Sequence, residues 1–284
     1  MTGRTALVLG GGGSLGAVEA GFIRRTMELG ISFDLMVGTS VGAINAAHVA
    51  FHDTDNHDCL ERIWLGLARR RLFSRNPFTI AAGVLRSRMS LYSDRLIRSL
   101  VAEHLASDRF EDARVPLFIT ATDICSGERE VFGSGSLTQA ILASTAIPGL
   151  FPPVRIGGRM YVDGGVTSGG DIAVAVEQGA STVVFIDLRP KSRVECPRNI
   201  FEVISRSFEL LAEDRAACAV EHRDYPARVI HIQPGLTGGR GDFKDAPRLL
   251  SDSYRMACEI LDRCWVGGTF NPGHYHGDPA GNAE

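Results

Sequence analysis

Residues 5–16 read TALVLGGGGSLG, a short apolar run that breaks into four consecutive glycines. A continuous apolar run bounded by glycine is the pattern of a strand buried on both faces, as in a parallel sheet. The glycines behind it admit two chemistries. Read as Gly11-x-Gly13-x-x-Gly16, they match the dinucleotide-binding fingerprint. Read as a row of bare backbone N–H groups, they can hold an oxyanion during acyl transfer.

The next strand separates the two. A dinucleotide site needs an acid at the end of the second strand, about 20 residues on, to hold the ribose hydroxyls. Asp34 lies at that distance but precedes the strand Leu35–Val37. What ends that strand is Gly38-Thr39-Ser40-Val41-Gly42, a G-x-S-x-G followed by a helical pattern. This is the strand–turn–helix context of a nucleophile elbow, in which Gly38 and Gly42 let the backbone turn sharply and keep Cβ groups clear of Ser40. Two strand-to-helix turns of this kind in one parallel sheet meet at its carboxyl edge, where sites form.

A serine nucleophile needs a base. Of the eight histidines, His48 and His52 fall on the helix after Ser40, His231 alternates with Ile230 and Ile232 in a strand, and His274 and His276 lie near the C-terminus. None stands in a recognisable site context. Asp163, in Tyr-Val-Asp-Gly-Gly with Gly164 and Gly165 behind it, is the better candidate. A turn Asp before two glycines accounts for the same residues without chemistry.

The remaining chain alternates strands and helices, which predicts one α/β domain over 1–266: a mostly parallel sheet with helices on both faces. Ala17–Leu29 reads as a helix, and from Cys59 to about Leu105 the pattern is helical, with Ser93-Asp94 as a start for RLIRSLVAEHL (95–105), in a cap insertion spanning about 56–110 after the nucleophile helix. VPLFITATDICSGEREVF (115–132) reads as a hairpin with Ser126-Gly127 in its turn, and a second small hairpin turns at Gly157-Gly158. Residues 181–188 form a strand, 198–222 a long helix, 228–232 a strand and 247–265 a last helix. The segment 267–284, rich in Gly, Pro and His, is expected to be disordered.

Composition narrows the classes. At 284 residues with 44% hydrophobic and 22% charged residues, the chain builds a sizeable core. A net charge of −3 argues against a nucleic-acid partner. Six scattered cysteines without a C-x-x-C pair point to reduced thiols, to no metal site and to a cytoplasmic protein. No 18-residue apolar run or signal-peptide pattern is present in the sequence.

The three motifs in this order, Gly11-Gly12-Gly13-Ser14-Leu15-Gly16, Gly38-Thr39-Ser40-Val41-Gly42 and Asp163-Gly164-Gly165, resemble the patatin-like phospholipases. The stretch ASTAIPGLFPPV (143–154) looks like the family's approach to its Asp motif. The resemblance covers roughly residues 4–190. It implies a patatin-like fold and a Ser-Asp dyad without histidine, with Ser40 as nucleophile and Asp163 as base. It further implies an oxyanion hole built by Gly11, Gly12 and Gly13, a lipid or acyl-ester substrate (phospholipase, lysophospholipase or esterase) and no cofactor.

Two positions depart from the family. Leu15 stands where a basic residue is usual, and Thr167-Ser168-Gly169 follows the Asp motif where Asn-x-Pro is frequent. Both weaken the phospholipid assignment more than the acyl-hydrolase assignment. Two alternatives stay open: a Ser-Asp-His esterase using His222 or His231, and a non-catalytic protein of this fold that binds lipid or a partner. An apolar pocket, for which Leu15, Ile147, Leu150 and Phe151 are candidates, is expected to raise the Asp163 pKa and make it a competent base. Between Glu61 and Arg98 there are nine arginines and two acids, interleaved with apolar residues. Such a segment can cover the site and rest on an anionic membrane.

Overall fold

The computed structural model describes residues 3–52, 58–69, 89–168, 170–189, 196–197, 200–221, 224–237 and 243–277. The central strand is β1 (Arg4–Leu9), buried from Ala6 onward because neighbours flank it and helices cover both its faces. It pairs in parallel with β2 (Leu35–Thr39) on one side and β7 (Ala180–Ile186) on the other. β8 (Arg228–Gln233) continues the sheet in parallel beyond β7. Beyond β2 lies β3 (Leu117–Asp123), also parallel.

From β3 outward the sheet turns antiparallel. β4 (Arg129–Phe132) closes a hairpin with β3, and the glycine at its turn, Gly127, has φ 75°. β5 (Val154–Ile156) and β6 (Arg159–Asp163) form the second hairpin, turned at Gly157-Gly158, and β6 pairs with the last residues of β3. Both hairpins fall where the turn residues place them.

The period-2 alternation of β1 sorts its side chains into two layers. Leu7 and Leu9 join one core with α1 (Gly16–Glu28), α2 (Val41–Phe51), α3 (Cys59–Arg69), α4 (Arg95–His104), α5 (Leu137–Ser144) and α8 (Ala246–Cys264). Ala6 and Val8 join the other, with α6 (Ile172–Glu177) and the end of α7 (Ile200–Glu221), where Ala216 is buried. A nine-stranded, mostly parallel sheet with helices on both faces is the observed architecture.

Two stretches depart from the reading of the sequence. The segment expected to be disordered is ordered as far as Gly277. Trp265–Val266 (β9) and Thr269–Phe270 (β10) form a small hairpin, and Gly273–His276 (β11) adds a parallel edge strand to β8. Strand pairing needs only backbone N–H and C=O groups, so a composition poor in apolar residues does not prevent it. Residues 278–284 lie outside the described residues. The helical pattern from 59 to about 105 is interrupted: Ser90 forms a bridge with Gly149, the Leu91 and Tyr92 N–H groups donate to Gly149 and Leu150, and α4 starts after Asp94, where Ser93-Asp94 place it. Residues 70–88 of that run lie outside the described residues.

Candidate active site

Register brings the first two motifs together. Leu9 lies opposite both Gly38 and Ile186, so β1, β2 and β7 end level and the glycine loop emerges beside the elbow. β2 runs through Thr39 and α2 begins at Val41, leaving Ser40 alone to make the turn. It does so at φ 55°, the one positive φ of a non-glycine residue among the described ones. That conformation is strained and persists only where its surroundings enforce it. Here the Ser40 N–H donates to Ser144 Oγ at 2.8 Å and the Ser40 carbonyl accepts from the Ala43 N–H. The flanking glycines are required by contact: a Cβ on Gly38 would stand 2.6 Å from Ala43 Cα, and one on Gly42 would run into the Leu9 carbonyl.

Asp163 arrives from the opposite direction. It ends β6 opposite Ala121 of β3, while Thr39 ends β2 opposite Thr120. Ala121 and Thr120 also face β4, so β2 and β6 share the other edge of β3 and their ends meet. Ser40 Oγ donates to Asp163 Oδ2 at 2.7 Å, and the Gly165 N–H donates to Oδ1 at 2.9 Å. Asp163 is fully buried. Burial pushes its carboxyl up to about 7, against the lowering effect of the Ser40 and Gly165 hydrogen bonds. Gly164 packs between the Thr120 carbonyl and the Thr39 methyl.

Gly11, Gly12 and Gly13 line one cavity with Ser40, and a Cβ on Gly11 would lie 3.3 Å from that of Ser40. Gly16 opens α1 against Val41 and Trp64. Leu15, Ile147, Leu150 and Phe151 line the same cavity, as do Trp64 and Leu67 of α3, Leu100 of α4 and Phe208 of α7. The two arginines that line it among the described residues are already paired, Arg189 with Asp187 at 2.6 Å and Arg206 with Glu209 at 3.3 Å.

The family model for patatin-like phospholipases matches residues 7–176, a span that contains the glycine loop, Ser40 and Asp163. The chain belongs to the patatin-like phospholipase family. It is 28% identical over 197 residues to patatin-like phospholipase domain-containing protein 7 of Mus musculus, covering 67% of this chain and 14% of that one. It is 34% identical over 167 residues to an uncharacterized NTE family protein of Mycobacterium bovis, covering 57% and 43%. The chain thus spans less than half the length of either relative. VipD from Legionella pneumophila has the same kind of fold, at TM-score 0.50 and 14% identity, over 92% of this chain and 67% of VipD.

Two buried histidines of this patatin-like chain, His231 and His48, are engaged elsewhere. His231 lies 2.8 Å from Asp187 Oδ2 through Nε2 and 3.0 Å from His274 through Nδ1, and both its nitrogens are occupied. His48 is buried with its Nε2 2.6 Å from Cys59 Sγ, and burial pushes its pKa down to about 3. His222 lies outside the described residues.

Sequence reasoning missed the groups behind the motifs. Ser144 sits inside the 143–154 stretch, but nothing in that stretch marks its hydroxyl as the acceptor for Ser40. Glu19 is fully buried in α1, where its Oε2 accepts from Asn45 Nδ2 at 2.7 Å while Oε1 has no hydrogen-bond partner among the described residues. Asn45 also donates to the Gly16 carbonyl and accepts from Trp64 Nε1. The far end of the glycine loop is therefore tied to α2 at Gly16. Burial holds the Glu19 carboxyl well above the usual carboxylate range. An acid sharing the α1 face of Phe22 and Ile23 was the available signal.

Proposed function

We propose that this chain is a serine acyl hydrolase that cleaves carboxylic ester bonds of lipids. Ser40 is the nucleophile, Asp163 the general base, and the N–H groups of Gly11, Gly12 and Gly13 form the oxyanion hole. The observation that carries this reading is the 2.7 Å hydrogen bond from Ser40 Oγ to Asp163 at the wall of an apolar cavity. Family membership supports it, as do the phospholipase names of relatives that span much longer chains.

In the first half-reaction Asp163 takes the Ser40 proton as Oγ attacks the ester carbonyl. The negative charge moves to the carbonyl oxygen, which the glycine N–H groups receive, and Asp163 returns the proton to the departing alcohol. In the second half, water attacks the acyl-Ser40 ester with Asp163 again as base and releases a carboxylic acid. A base near pKa 7 suits this at neutral pH. The apolar walls suit an acyl chain. Among the described residues both cavity arginines are paired with carboxylates and position 15 is leucine, which favours recognition of the acyl chain over that of a charged head group.

Peripheral contact with an anionic membrane through segment 61–98 belongs to the same proposal. Of its arginines, 70, 71, 75, 86 and 88 lie outside the described residues, and Arg98 is paired with Asp94. Among the described residues no helix is long and apolar enough to cross a membrane.

The test is hydrolysis of a short-chain chromogenic ester by wild type and by Ser40→Ala, with fluorophosphonate labelling mapped by mass spectrometry. The reading requires a label on Ser40 and no turnover by a folded alanine variant. Turnover by Ser40→Ala, or a label elsewhere, overturns it.

A further inference from the structure

α7 has two working faces. Successive residues of a helix advance about 100°, which places Ile200, Val203, Leu210 and Leu211 within roughly 100° of arc. These four are 74%, 50%, 50% and 53% exposed. The opposite side carries Ser205, Phe208 and Ala212, which line the catalytic cavity, and Phe208 reaches to Gly165 beside the base. The far end of the helix is anchored in one core through Ala216 and Val220, and Ile204 packs its first turns against the other. Its first turns lie over the site.

This stripe is unusual for the protein. Of the eight large apolar residues that stand exposed among the described ones, four are on this one helix. A fifth, Leu65, lies on α3, whose Trp64 and Leu67 line the same cavity. A concentrated apolar patch marks an interaction surface, whereas scattered single residues do not. Its size indicates what binds. The four side chains offer on the order of 400 Å², well under the roughly 800 Å² per partner of a stable protein interface. An apolar helix face of this size is sufficient to seat in the head-group and acyl boundary of a lipid layer.

We infer that the outer face of α7 docks the enzyme on a lipid surface, so that one helix meets the lipid layer with one side and walls the acyl cavity with the other. The inference rests on the lipid-ester reading above, and it assigns the α7 face, rather than the arginines of 61–98, to apolar insertion. Because insertion of this kind does not depend on charge, it acts on uncharged, zwitterionic lipid.

The experiment is flotation of the protein with phosphatidylcholine vesicles, comparing wild type with Leu210→Glu/Leu211→Glu and with the milder Leu210→Ser/Leu211→Ser, alongside hydrolysis of a soluble short-chain ester. Wild type is expected to float. Both variants are expected to lose binding by about tenfold or more, while soluble-ester turnover stays within about twofold. Wild type that does not float overturns the inference, as do variants that float unchanged. So does a wild-type dimer in light scattering that the variants convert to monomer, because a second copy then covers the stripe. If wild type floats but hydrolyses no ester, the lipid-ester reading fails while the surface stands.

Discussion

Ser40 and Asp163 stand at the ends of two strands that run toward each other along one edge of β3, where Thr39 lies opposite Thr120 and Asp163 opposite the next residue, Ala121. The strands fix the backbone on either side of the 2.7 Å hydrogen bond, so the pair is positioned before any substrate arrives. Behind it, Thr39 Oγ1 donates to the buried Asp171, which also receives Arg129. In the proposed reaction, preorganisation of this kind places Ser40 and Asp163 without reorganisation.

The pH profile follows from the proposed base. Burial raises the Asp163 carboxyl to about 7, and only its ionised form accepts the Ser40 proton. Turnover of a soluble ester is expected to fall about tenfold per pH unit below that value and to level off above it. A profile flat down to pH 5 contradicts the assignment.

The same shift has an opposite effect on stability. The unfolded carboxyl ionises near 3.8 and the folded one near 7, so between these values the folded state holds a proton that the unfolded state has lost. Stability contributed by this group is therefore present below about pH 4 and declines as pH rises through 7. Asp163→Asn keeps an acceptor for the Gly165 N–H without the buried charge. Its Tm relative to wild type should rise between pH 4.5 and 7.5. Thermal melts that run parallel across that range refute the argument.

Ser144→Ala removes the acceptor of the Ser40 N–H and leaves that donor buried. A cost of about 1–3 kcal/mol is expected, roughly 2–12 °C in Tm at about 2–4 °C per kcal/mol for a domain of this size. A lower kcat should accompany it, since the strained φ of Ser40 loses one of its restraints. Calorimetry and ester kinetics on one preparation test both.

The first 50 residues were largely legible because there local pattern and tertiary role coincide. Apolar run, glycine loop and G-x-S-x-G each mark their own element ends. Asp163 was found from its neighbours in sequence, but its meeting with Ser40 depends on β6 lying end to end with β2, which periodicity does not encode. β11 escaped because its pairing is made by backbone. The Glu19–Asn45–Trp64 chain joins three helices through side chains that look ordinary in each.

Glu19→Ala removes the acceptor of the buried Asn45 amide and leaves a cavity, and should destabilise by about 2–4 kcal/mol while lowering kcat, because Asn45 also holds the glycine loop at Gly16. Glu19→Gln should lie close to wild type, because the buried carboxyl is held toward its neutral form. Denaturant melts of both variants decide it. A Gln variant as unstable as the Ala variant shows that the charge matters.

The dyad itself is tested most directly by comparing kcat of Asp163→Asn and His231→Asn on a soluble ester, with folding checked by circular dichroism. Asp163→Asn should lose at least about 10³ in kcat, because the amide keeps the shape but takes no proton, while His231→Asn stays within several-fold of wild type. A His231 variant as inactive as Asp163→Asn would replace the dyad with a histidine-dependent triad.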